Sequence, residues 1–185
     1  MRSTYNAGFR QSCDATCGPA SMILVAKGFD LETKEESAWQ NSLFQRWLPV
    51  NEFLTRGMAL HELQLITELI FGDQIEIILR RAYPENHAFF LDNIQRAFCS
   101  EDTIVIVNYR QNDFITTTHC DYGNPHYSPI VDYNKEENKV LIADVDNQVQ
   151  APYWVSIDAM FQSMNHRNPA LNIPRGWLMI RKRVQ

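Results

Sequence analysis

The run Pro125-His126-Tyr127-Ser128-Pro129-Ile130-Val131-Asp132-Tyr133 leads through Asn134-Lys135-Glu136-Glu137-Asn138 into Lys139-Val140-Leu141-Ile142-Ala143-Asp144. Tyr127 to Tyr133 and Lys139 to Asp144 are strand-like, and the polar segment between them predicts a hairpin. Working outward, Thr103 to Tyr109 is a β-branched run that predicts a buried strand, and Trp177 to Arg181 predicts another. Ser156 to Met164 reads as a short helix. Before residue 100 the period becomes helical. Gly18-Pro19 opens a helix near Cys17, with Gly28 as its stop, and its nearly all-apolar composition predicts burial. Met58 to Phe71 carries Leu63, Ile66, Leu69 and Ile70 at helical spacing. Ala88 to Phe98 does so with Phe89, Phe90, Ile94 and Ala97. Gln74 to Leu79 reads as a strand. Helices first and an antiparallel sheet afterwards define the α+β class. The expected organisation is one domain over residues 1–185, helical to about residue 100 and sheet-forming from about 101.

Composition excludes several classes. With 45% hydrophobic and 21% charged residues among 185, the chain is neither disordered nor low-complexity. A net charge of −5 argues against a protein that grips nucleic acid. No apolar run approaches the ~18 residues of a membrane helix. The first residues lack the apolar core of a secretory signal, so the chain reads as cytoplasmic, or as periplasmic or secreted if a leader has been removed. Cys13, Cys17, Cys99 and Cys120 would permit two disulfides, but a chain of this length needs none, and reduced thiols are the simpler reading.

Four residues form an ordered chemical set. Cys17 sits at a helix N-terminus, where the dipole and open N–H groups favour the thiolate, the nucleophilic form. Gln11, six residues upstream, could donate its amide to an oxyanion alongside the Cys17 N–H. His126 opens a strand beside a loop, a place suited to a general base. Asp144 follows 18 residues later, where the hairpin could bring its carboxylate against the ring to fix its tautomer.

These segments resemble the phytochelatin synthase family. Gln11 with Cys17-Gly18-Pro19-Ala20-Ser21 is similar to its nucleophile segment, and His126-Tyr127-Ser128-Pro129-Ile130 to its histidine segment. Leu141-Ile142-Ala143-Asp144-Val145, Ala151-Pro152-Tyr153-Trp154-Val155, Arg175-Gly176-Trp177 and Arg56-Gly57-Met58 match further segments in order, from about Gln11 to Ile180. The resemblance implies a papain-like cysteine protease fold. It implies that Cys17 attacks the Cys–Gly bond of glutathione, with His126 as base and acid, Asp144 as orienter and Gln11 as oxyanion donor. Glycine leaves, and a γ-glutamylcysteinyl acyl-enzyme passes its acyl group to water or to a second glutathione. No tightly bound cofactor is expected; Cd or Zn would enter as glutathione thiolate complexes. The expected partner is glutathione or a related γ-glutamyl peptide, with no nucleic acid and no membrane, and a homodimer is left open. Asn147 stands where the family usually has an Arg, three residues after the aspartate, which favours hydrolysis over transfer. Arg110 is the candidate substitute contact for a substrate carboxylate.

Three other readings compete. Cys13, Cys17, His119, Cys120 and His126 could supply a tetrahedral zinc site. The same triad could serve a papain-like peptidase acting on other peptides. A non-enzymatic interaction domain would leave Cys17 without a role.

Overall fold

A computed structural model describes residues 9–116, 125–169 and 171–183. His119 and Cys120, two members of the zinc reading, lie outside the described residues. The helices are α1 (Cys17–Gly28), α2 (Val50–Arg56), α3 (Leu60–Phe71), α4 (His87–Phe98) and α5 (Ile157–Asn165). The strands are β1 (Ile75–Arg81), β2 (Thr103–Arg110), β3 (Pro125–Asn134), β4 (Lys139–Ile142), β5 (Tyr153–Ser156) and β6 (Gly176–Lys182). They form one antiparallel sheet in the order β1-β6-β2-β3-β4-β5.

The sheet is covered on both faces, and β2 shows why. Its alternation sends Ile104 and Ile106 into a core shared with α1 and α3. Val105, Val107 and Tyr109 go into a second core shared with α4 and α5. A strand buried on both sides needs apolar residues at every position, which is the continuous run seen in the sequence. The fold class is α+β as expected, although two elements cross the expected division. β1 arises within the first 100 residues yet pairs with β6, and α5 lies in the second half.

Other departures have local causes. Leu69 is 51% exposed, because Thr67 and Phe71, four residues apart, turn inward with Leu63 instead. Phe89 is 55% exposed, and Asn93 takes the inner position, where its Oδ1 accepts from the Trp177 indole at 2.9 Å. Gly28 is the last residue of α1 rather than the one that turns the chain. The left-handed residue is Asp30 (φ 54°), after which the Leu31 N–H closes onto Ala26 O at 2.9 Å. β4 ends at Ile142, two residues before Asp144, after a bulge between Ile130 and Asp132 of its partner. β5 is an additional edge strand, within the segment Ala151-Pro152-Tyr153-Trp154-Val155.

Candidate active site

α1 begins at Cys17, which is 6% exposed. The preceding loop is a tight turn: the Thr16 hydroxyl donates to Cys13 O at 2.9 Å and accepts the Cys13 N–H at 3.2 Å. That engagement leaves α1 without a side-chain cap. Ala20 N–H is bonded to Thr16 O at 2.9 Å and Pro19 has no N–H, so the Cys17 and Gly18 N–H groups are the donors open at this helix end. Gly18 keeps this end close to the sheet; a Cβ there would lie 3.3 Å from two methyls of Leu63 and 3.6 Å from the Tyr127 ring.

The segment before Cys17 is tied at three points. Gln11 N–H donates to Val145 O at 2.8 Å, Arg10 Nη1 donates to Asp144 O at 3.0 Å, and the Ser12 hydroxyl donates to the buried Glu36 carboxylate. Gln11 is 6% exposed, and its Oε1 is buried without a hydrogen-bond partner. Its side-chain carbonyl is therefore an unsatisfied acceptor.

His126, the second residue of β3, pairs in register with Tyr109 of β2. Its Nε2 lies 2.7 Å from Asp144 Oδ1, both groups being buried. That contact engages Nε2, and Cys17 is the second group that acts on the ring, through hydrogen bonding and charge. The imidazole is pushed up to about 10. Burial alone would lower it, but the charge and hydrogen bond of Asp144, then the hydrogen bond and charge of Cys17, outweigh that cost. Burial would raise Asp144, yet its carboxyl is held well below the usual range by the imidazolium and by hydrogen bonds.

Five groups able to donate surround that carboxylate. Oδ1 takes His126 Nε2 and the Asp146 N–H at 2.9 Å. Oδ2 takes Tyr153 OH at 2.8 Å, Tyr109 OH at 3.1 Å and Gln111 Nε2 at 3.1 Å. Asp144 and Cys17 thus both bear on the His126 ring, and the Gln11 backbone is tied to Val145, next to Asp144.

A family model for phytochelatin synthase matches residues 3–177. The chain belongs to the phytochelatin synthase family. Among its relatives are glutathione gamma-glutamylcysteinyltransferase 3 of Lotus japonicus, 26% identical over 177 residues, and glutathione gamma-glutamylcysteinyltransferase 1 of Triticum aestivum, 25% identical over 178. The alignments cover 93% and 94% of this chain but 35% and 34% of the relatives, so the chain spans about a third of their length. A solved C39-like peptidase from Bacillus anthracis superposes with a TM-score of 0.58 at 11% identity, over 98% of this chain and 97% of that one. The family member described here therefore has the papain-like peptidase fold.

Several family segments now have physical explanations. Arg56 makes a bidentate pair with Glu62 (2.7 and 2.8 Å), and Glu62 also accepts the Ala59 N–H at the start of α3. Gly57 holds φ at +67°, and Met58 O accepts the Tyr127 hydroxyl at 3.0 Å. Gly176 lies where β1 and β6 meet; a Cβ would sit 2.0 Å from Arg80 O.

Arg110 sits among local partners, and its Nε is buried without a hydrogen-bond partner. Its Nε lies 3.5 Å from Asp113 Oδ1 and its Nη1 lies 3.3 Å from the His166 ring. Arg175 is the cation that sequence reading passed over, although it stood in a quoted segment. It is 2% exposed, its Nη1 donates to His166 O at 3.0 Å, and its Nε is buried without a hydrogen-bond partner. No carboxylate pairs with it among the described residues. It and Cys17 both act electrostatically on the Tyr127 hydroxyl. Tyr109, Gln111 and Tyr153 were also missed. No group of three or more ligating side chains is placed to hold a metal among the described residues.

Proposed function

We propose that the chain cleaves the Cys–Gly bond of glutathione through an acyl-enzyme on Cys17. The observation that carries this reading is the His126 ring, bonded to Asp144 Oδ1 and raised in pKa by both Asp144 and Cys17, the residue that opens α1. The names of the relatives, transferases of the γ-glutamylcysteinyl group from glutathione, supply the substrate.

Cys17 attacks as the thiolate, and the carbonyl carbon of the substrate cysteine becomes tetrahedral. The negative oxygen is received by the Cys17 and Gly18 N–H groups and the Gln11 amide. His126 enters the cycle as imidazolium, so it can donate Nδ1–H to the departing glycine nitrogen as the C–N bond breaks. The neutral ring then accepts a proton from the incoming group. That group is water, giving γ-Glu-Cys, or the amino group of a second glutathione, giving a longer oligomer. Asp144 holds Nε2–H throughout and does not take the proton. Arg175 is the favoured partner for a substrate carboxylate, because a buried guanidinium without an acid gains most from one. Cd or Zn enters as substrate, carried on glutathione thiolates. Asn147 is exposed and offers no cation for a second glutathione, which favours hydrolysis.

Incubation with glutathione, with and without Cd or Zn, tests this by mass spectrometry. The expected products are glycine and γ-Glu-Cys, with a γ-glutamylcysteinyl adduct on Cys17 under brief incubation. Intact glutathione beside cleaved α-linked peptides would transfer the same machinery to a different substrate class.

A further inference from the structure

The triad reading leaves unexplained why the second oxygen of Asp144 is met by two tyrosine hydroxyls that also touch each other. Tyr109 OH lies 2.7 Å from Tyr153 OH and 3.2 Å from Ser128 Oγ, while both tyrosines reach Asp144 Oδ2. Each hydroxyl has a single proton, so the four contacts cannot all be donated by the tyrosines. Bonds to a charged acceptor are the short ones, which gives the carboxylate contact to Tyr153 at 2.8 Å rather than to Tyr109 at 3.1 Å. Tyr109 then donates to Tyr153, and Ser128, which is fully buried, donates to Tyr109. Every proton in the row Ser128, Tyr109, Tyr153, Asp144 is used once and in one direction.

We propose that Tyr153 and Tyr109 are interchangeable positioning residues for the proposed reaction: they hold Oδ2 of Asp144 so that Oδ1 stays aimed at His126. They touch no substrate atom. Tyr153 comes from β5 and Tyr109 from β2, at opposite sides of the β3–β4 pair, so the carboxylate is braced from both. The deep burial of Tyr109 and the negative charge beside both rings push the two phenols far up, so each remains a donor at any working pH. Redundancy is the consequence: with Tyr153 OH removed, Tyr109 OH is already 3.1 Å from Oδ2 and has lost its competing acceptor.

This rests on the triad reading, and a double-mutant cycle tests it. Tyr153→Phe and Tyr109→Phe are each expected to lower kcat for glutathione cleavage by about threefold with KM unchanged. The double variant is expected to lose about thirtyfold or more, beyond the product of the singles, because Oδ2 then keeps the Gln111 amide alone and no hydroxyl. The His126 Nε2–H proton resonance, read without substrate, is expected to stay far downfield in the singles and to move upfield only in the double. Melting curves verify folding. Should the double variant fail to fold, the Tyr153→Phe single decides instead: Tyr109 takes over Oδ2, so the resonance stays downfield, and an upfield move in that single overturns the proposal. A double variant whose kcat equals the product of the singles, or whose resonance does not move, overturns the proposal. Absence of glutathione cleavage in the unmodified protein removes the substrate reading instead, while the resonance still reports on the brace.

Discussion

At the scale of single residues, the raised His126 governs pH behaviour. kcat/KM is expected to hold to an alkaline limb near pH 10, where the imidazolium is lost. Asp144→Asn removes the charge that outweighs burial, so the limb should fall by several units while the amide still orients the ring. A pH–rate profile of both proteins checks this; coincident limbs would exclude Asp144 as the cause. The linkage to stability has a definite sign. The stabilisation from His126 is complete below its unfolded value of ~6.5 and is lost as pH rises through about 10. That from Asp144 is present above its unfolded value of ~3.9 and is lost only in strong acid. His126→Ala should abolish turnover yet cost only about 1–3 kcal/mol in urea unfolding, because Asp144 keeps the Asp146 N–H, the Tyr153 hydroxyl and the Gln111 amide as donors. Cys17, His126, Asp144 and Gln11 were legible because each carries chemistry at a recognisable spacing. Tyr109, Gln111 and Tyr153 were not. Tyr109 ends an apolar strand, Tyr153 precedes Trp154 in an edge strand, and only pairing between distant strands turns their polar atoms toward one carboxylate.

At the scale of elements, the junction of β1 with β6 is the least forgiving place. Gly176 faces Arg81 in register, and a methyl group there would overlap Arg80 O at 2.0 Å. Gly176→Ala should therefore cost about 3 kcal/mol or more, since backbone must separate rather than a side chain turn. Because Arg175 precedes it, activity should fall further than stability alone explains. Gly57→Ala, at φ +67° with only Ala15 O nearby at 3.4 Å, should cost about 1 kcal/mol. Thermal melts of the two variants separate overlap from conformational strain. Periodicity revealed α1, α3, α4 and every strand except β5, since burial on two faces or one writes itself into local order. The exposure of Leu69 and Phe89 was not readable in that way. Which of two adjacent apolar residues turns inward depends on the neighbouring layer, here on Phe71 in one case and on the Trp177 indole in the other.

At the scale of the whole molecule, an acidic protein is proposed to bind an anionic tripeptide. The net charge of −5 repels such a ligand at long range, and that repulsion is screened beyond about 10 Å at 0.1 M salt. The proposed attraction is that of Arg175, which is 2% exposed and so is screened far less. Its guanidinium is held somewhat below the ordinary arginine value by burial and by the nearby Arg110 charge, a cost that a bound carboxylate would relieve. Salt should therefore leave KM for glutathione level or lower it slightly, the opposite of a ligand steered by surface cations. Arg175→Gln should raise KM about tenfold or more at every salt concentration, the loss expected for a charged hydrogen bond. kcat should change less, because the guanidinium stands apart from the His126–Asp144 hydrogen bond. Arg110→Gln serves as the comparison, since Arg110 already faces Asp113. An equal rise in KM for both variants, or a KM that climbs steeply with salt, would move substrate recognition from the buried cation to the protein surface.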